Sequence, residues 1–314
     1  MAHEVETMFS YEEVPWHGLG TITDHALTSE EAIDIAGLNW EVQTVSVVVN
    51  GSIVENYKAV QRVHDHKLYN IVRNRYEPIQ NKEAFGFFDS VVGTKEAIFH
   101  TAGSLKEGAR IWMLAKINGS MGVKGEQIDK FVCLTNSHDG YLALQMFWTP
   151  IRVVCANTLA MAESGASTRF YARHTKNYKA RIEVAQEILG LSNKFYDGWL
   201  EEAKYLANHM LPEAQRPLML LEAFGYDGSI AMEDIYNPVK VAMNKIEELV
   251  VVGKGMDNPA IQGTAWQAYN AVVEYVDYYR KARGNKPEGR LNQAWFGSGA
   301  NIKKRTWKYL LNNV

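Results

Sequence analysis

Five residues in the middle of the chain are of the types that move protons or hold phosphate: His138, Asp139, Arg152, Asn157 and His174. An imidazole beside a carboxylate takes or gives a proton, and an arginine holds phosphate oxygens. Together they describe a phosphate-ester or nucleotide-acting pocket around Arg152 and His138. Ser137-His138-Asp139 also has the composition of a hydrolase triad, but a triad converges from separated positions, whereas neighbours in a row point to different sides. Asp139-Gly140 reads instead as a hairpin turn, with Asn136 and Ser137 bonding the local backbone. No Walker motif accompanies these residues. His64-Asp65-His66-Lys67 reads as a solvated turn with one adjacent carboxylate and no third ligand placed. The sequence implies no cofactor and no metal.

A second chemistry is legible in cations interleaved with aromatics. Arg169, Tyr171, Arg173, Lys176, Tyr178, Lys179 and Arg181 follow one another without an acid. Cations neutralise phosphates and release counterions, while aromatic faces stack on unpaired bases. As a strand, Arg169, Tyr171 and Arg173 share one face, opposite Phe170. Arg152 joins them as one cation in an apolar strand, which needs a carboxylate or a phosphate as partner. The last thirty-six residues hold nine Lys or Arg against the single acid Glu288, and Lys303, Lys304, Arg305 and Lys308 with Trp307 supply a second contact there. Each stretch also has a plainer reading. The first is an edge strand guarded by charge, the second an amphipathic helix whose Trp and Tyr dock on the core.

The elements that must position these residues change period twice. Residues 1–27 read as an irregular opening segment whose most specific feature is Pro15-Trp16-His17-Gly18-Leu19-Gly20. Thr28-Ser29-Glu30-Glu31 is a capping box for a short helix that stops at Gly37. From Glu41 the period is two, with Asn50-Gly51 as a hairpin turn and strands over 53–63 and 68–72. A helix opens at Asn81 and Glu83. Strands follow over 97–102, 110–117, 130–134, 141–148 and 151–155, with Asn157 as a helix cap after the last. Beyond Ala180 the spacing is helical, near 182–206, 218–224, 239–252 and 260–283, with prolines at the starts. The expected fold is α+β: a mainly antiparallel sheet with a few helices, then a helical half. Residues 1–180 form the sheet-rich region, 181–283 a helical region packed on it, and 284–314 a flexible break with a basic C-terminal helix.

Bulk properties narrow the class. The chain has 314 residues, 46% hydrophobic and 22% charged, as expected for a soluble globular protein. Its net charge of −3 hides a polarity, because residues 1–40 carry eight acids and no Lys or Arg. Such opposed ends would let neighbouring subunits attract, let an acidic arm mask a basic groove, or simply balance charge within one chain. Cys133 and Cys155 sit in apolar runs without a CxxC or a framework of bridges, which fits a reducing cytosol. No apolar run suits a signal peptide or a membrane span.

Several motifs together resemble a known family. They are Pro15-Trp16 with Gly18-Leu19-Gly20, the run from Leu134 to Gly140, the run from Thr149 to Leu159, and Arg173-His174-Thr175. Gly263-Thr264-Ala265-Trp266, the run from Asn270 to Asp277, and the run from Ala294 to Ala300 complete the set. The chain resembles, nearly end to end, the phage/plasmid-like proteins built on domain of unknown function 932. That resemblance implies a bacteriophage or plasmid gene expressed in the bacterial host cytoplasm, and it supplies no catalytic residues. A fold-level likeness to phage single-strand annealing proteins is weaker. The expectation is a nucleic-acid-binding protein of phage or plasmid DNA metabolism, preferring single-stranded DNA and annealing it as a homo-oligomer without catalysis. The alternatives are the phosphate-ester enzyme above and a non-catalytic phage protein that binds a host factor.

Overall fold

A computed structural model describes residues 5–11, 21–25, 27–92, 97–152, 157–158, 169–178, 192–281, 293–295 and 297–314. The chain is α+β, with sheets in the first half and helices in the second. Two strands, β1 (Val5–Tyr11) and β2 (Thr21–Thr23), lie where an irregular opening was expected. β1 is a strand because Met8 and Phe9 are buried and its backbone pairs antiparallel with β6 (Ala97–Leu105). That partner is far away in sequence, so local composition gives no sign of it. β2 runs parallel to β1. The motif at residues 15–20 lies outside the described residues.

Helix α1 (Ser29–Ile35) starts as its capping box dictates, with the Thr28 side chain accepting from the Glu31 amide and Glu31 accepting from the Thr28 amide. It ends before Gly37, whose φ of +66° suits glycine. Strands β3 (Val42–Val49), β4 (Ser52–Arg62) and β5 (Leu68–Arg73) form a separate three-stranded antiparallel sheet. The β3–β4 turn is the expected Asn50-Gly51, at φ +50° and +80°. At the next turn Arg62 grips Asp65 through two hydrogen bonds of 3.0 and 2.6 Å. Helix α2 (Asn81–Val92) follows and buries Phe85 and Phe88.

The larger sheet continues from β6 through β7 (Arg110–Val123), β8 (Glu126–Ser137) and β9 (Leu144–Arg152). Beyond β9 come β10 (Asn157–Thr158) and β11 (Arg169–Ala172), which both pair antiparallel with it. The strand order is β10-β9-β8-β7-β6-β1-β2, with β11 beside β9. Two expectations change here. The strand expected at 141–148 continues through Pro150 to Arg152, with residues 153–155 outside the described ones, and Asn157, expected to cap a helix, pairs across from Arg152 in β10.

Helices α3 (Ser192–Asn208), α4 (Arg216–Phe224), α5 (Asn237–Val252), α6 (Ala265–Glu274) and α7 (Ser298–Asn313) make up the second half. Thr264 caps α6, so that helix begins later than the apolar spacing suggested, and it runs into a π-helical turn over Tyr275–Tyr279.

The chain divides into two compact units that alternate along the sequence. Unit one holds Met1–Asn118, Phe131–Trp148 and Arg169–Ser192; unit two holds Gly119–Lys130, Thr149–Thr168 and Asn193–Val314. The outer ends of β7 and β8 therefore count with the helices. Unit one is built around Phe9, Phe85, Phe88 and Phe99, and unit two around Trp199, Trp266, Tyr196 and Tyr269. No described helix is long and apolar enough to cross a membrane.

Candidate functional site

The polar chemistry of unit one gathers around residues 76–81, the connector that leads into α2. Asn81 is buried, and its amide nitrogen donates to the carbonyls of Leu38 at 2.9 Å and Trp40 at 3.4 Å. Its Oδ1 is thereby turned to His138 Nε2, 2.8 Å away, which fixes the His138 proton on Nε2. The Ile79 amide donates to His174 Nδ1 at 3.4 Å, so the His174 proton lies on Nε2. The Ile79 carbonyl accepts from Asn136 Nδ2 at 2.9 Å. Tyr76 stacks on His174, with ring centroids 4.8 Å apart and planes within 8°, and donates its hydroxyl to the Ser137 carbonyl at 3.2 Å.

Both imidazoles are inside the protein, His138 fully. Burial lowers His138 to about 3, with His174 depressing it further. Burial lowers His174 to about 4, a hydrogen bond with the Glu77 backbone and the nearby Asp139 carboxylate partly opposing it. Both rings are therefore neutral at ordinary pH. His138 Nδ1, His174 Nε2 and Asn136 Oδ1 find no hydrogen-bond partner among the described residues. The rings of Trp40 and Tyr69 flank His138 at 5.3 and 6.0 Å. Asp139 belongs to the same cluster, its carboxylate held by Arg110 Nε at 3.3 Å and by the Ser137 hydroxyl. A neutral imidazole pair beside an anchored carboxylate has the composition for proton transfer and for hydrogen bonding.

Of the five residues of the enzyme reading, His138, Asp139 and His174 come together in unit one. Arg152 and Asn157 count with unit two, where their backbones pair, and their side chains lie outside the described ones. Asn136 reaches across to Ile79 instead of bonding its own turn, while Ser137 does bond locally, to Asp139. The sequence reading missed Tyr76, Asn136, Arg110 and the Ile79 peptide as members of the cluster, and took Asn81 only for a helix start. Nothing local marks them, because each partner is 29 to 95 positions away.

The nucleic-acid residues divide three ways. Along β11 and the turn after it, Phe170, Ala172 and His174 are buried while Tyr171, Arg173 and Lys176 are exposed. Tyr178 is turned inward, its hydroxyl donating to Glu83 at 2.7 Å. The side chain of Arg169, and Lys179 and Arg181 altogether, lie outside the described residues. In α7, Lys303 is buried and pairs with Asp277 at 2.8 Å, and Trp307 is buried with its indole N–H on Glu202 at 2.7 Å. The amphipathic reading thus describes how α7 docks. Lys304, Arg305 and Lys308 remain exposed, with Arg305 lying over Gly225 at the end of α4.

A family model described as a domain of unknown function, DUF932, matches residues 68–295. No curated protein and no solved structure matches the chain.

Proposed function

We propose, for a chain that belongs to the DUF932 family, that it binds single-stranded nucleic acid, single-stranded DNA by preference, along β11 and the turn that follows. One observation carries this reading. Burial alternates over residues 170–174, so an aromatic ring and a cation, Tyr171 and Arg173, stand side by side in solvent with Lys176 just beyond. A cation that neutralises a phosphate next to a ring that stacks on a base is the minimal unit of single-strand recognition. Lys304, Arg305 and Lys308 offer a second set of phosphate contacts. Lys303, Trp307 and Tyr178 have no part in it, since their polar atoms are engaged inside the protein. In this reading the chain acts in phage or plasmid DNA metabolism in the host cytoplasm, with annealing by a multimer as the function.

Fluorescence anisotropy of labelled single- and double-stranded DNA, repeated across salt concentrations, tests it. Arg173→Ala with Lys176→Ala should weaken single-strand binding and lower the salt slope by about 1.4, from two lost phosphate contacts at roughly 0.7 each. No binding at low salt, or a variant with unchanged affinity and slope, removes this face from the account.

A second reading, chemistry on a phosphate ester, is favoured by the meeting of His138, Asp139 and His174. Against it stands the burial of both imidazoles. Nucleotide hydrolysis abolished by His138→Ala in a folded protein would promote it.

A further inference from the structure

Residues 76–81 are held to the rest of unit one by an unusual set of contacts, because two run to buried imidazole rings and one of these needs its ring to be neutral. The Ile79 amide needs the lone pair of His174 Nδ1. Asn81 needs the Nε2 proton of His138. The remaining ties are the Tyr76 hydroxyl on the Ser137 carbonyl, the Asn136 amide on the Ile79 carbonyl, and the Glu77 amide on the His174 carbonyl at 3.0 Å. At the far end Gln80 exchanges two hydrogen bonds of 2.9 and 3.0 Å with the backbone of Val42, and no titratable group takes part in these.

Each ring receives an added proton badly. On His174 it would land on Nδ1, facing the Ile79 N–H and turning an acceptor into a second donor. On His138 it would land on Nδ1, a fully buried atom with no acceptor among the described residues. The groups packed around His138 are the Asn81 amide, the Trp40 and Tyr69 rings, and His174, which opposes any charge there. Arg62 lies over Trp40 at 5.2 Å and is itself held by Asp65. Facing His174 are the Tyr76 ring, the Glu77 backbone, whose hydrogen bond favours the charged ring, and the field of Asp139, whose carboxylate is anchored by Arg110. Glu83 is turned to Tyr178 and to the Gln80 amide. None of the side chains among these hydrogen-bonds the ring atom that would gain the proton.

We propose that residues 76–81 form an acid-released latch, closed while His138 and His174 are both neutral and opened when either is protonated. The latch stands apart from nucleic-acid binding and from any catalysis. Released rings titrate near the ordinary histidine value of about 6.5, whereas in the closed state burial holds them to about 3 and about 4. The sign follows: the open segment binds more protons than the closed one below about pH 6.5, so acid favours opening. The opening equilibrium rises by up to about tenfold per pH unit for each ring that ionises on release. His174, with Asp139 near it, ionises first.

Hydrogen exchange of the full-length protein between pH 7 and pH 4.5, corrected for the intrinsic pH dependence, reads the latch directly. Amides of Glu77, Ile79, Gln80 and Asn81 should lose protection by about tenfold to a hundredfold per pH unit below about pH 6.5, while amides in α6 keep theirs. Tyr76→Phe removes one tie that does not titrate, and should raise exchange at every pH without changing that slope. His174→Phe keeps a ring against Tyr76 and should lower the slope by about tenfold per pH unit, leaving only the share of His138. If His174→Phe does not fold, the wild-type series and Tyr76→Phe still decide the matter. A flat profile for residues 77–81, or a loss in step with α6, overturns the latch. So does a ring nitrogen NMR spectrum showing either histidine charged at pH 6.

Discussion

Asp139 is bonded well beyond what a turn residue requires. Its carboxylate accepts from Ser137, from Arg110 and, at 3.1 Å, from the Tyr141 amide, and its carbonyl accepts from Asn70 at 2.7 Å. Arg110 is only 13% exposed, so removing the carboxylate takes an anion from a half-buried cation. Asp139→Ala should therefore cost about 3–5 kcal/mol in urea unfolding, and Asp139→Asn less, because an amide oxygen still accepts. A loss below about 1 kcal/mol would mean that other contacts compensate Arg110. At this scale the sequence is half legible. The dipeptide Asp139-Gly140 announces a turn, and Gly140 does adopt φ +73°. Nothing near it announces that its neighbour His138 is bonded to Asn81, 57 positions earlier. Hydrogen-bond partners brought together by folding leave no local pattern.

Elements were read best where they are defined by their own termini. The Thr28 and Glu31 box and the Asn50-Gly51 turn are local chemistry, and both stand as read. β1 and β10 are strands only by virtue of distant or cross-strand partners, and both were missed as such. α7 shows the same division. Its cations are evident in the sequence, but which of them faces inward depends on α4 and α6, the helices it packs against. Lys303 is 4% exposed and Asp277 10% in their ion pair. Lys303→Ala should destabilise the protein by about 3–5 kcal/mol by taking the buried cation from the Asp277 carboxylate. Lys303→Met combined with Asp277→Leu should recover most of that loss, since an apolar pair of similar volume substitutes well for a buried ion pair. Thermal unfolding of the three proteins checks this, and an equally unstable double variant would contradict it.

At the scale of the whole molecule, the chain passes back and forth between two units. Residues 119–130, the far ends of β7 and β8, belong with the helices, where Glu126 accepts the Trp266 indole N–H at 2.8 Å. A fragment of residues 193–314 lacks that acceptor and the strands that carry it. It should unfold without a sharp transition and bind a hydrophobic dye, whereas the full chain unfolds cooperatively; a cooperative fragment would show that the hairpin end is dispensable. The alternation also explains why composition suggested a simple sheet half and helix half. Composition follows the chain, and compactness does not. The indoles of unit two carry a further consequence. Of the eight tryptophans in the chain, Trp199 and Trp307 stack at 5.8 Å with planes 12° apart, and Trp266 meets them edge-on at 6.0 and 6.3 Å. Trp307 rides on α7 and the other two on α3 and α6. At such separations excited states are shared between rings, and their fixed chiral arrangement gives near-ultraviolet ellipticity that free indoles lack. The seating of the C-terminal helix is thereby written into the protein's own optical spectrum, where it can be followed without a label.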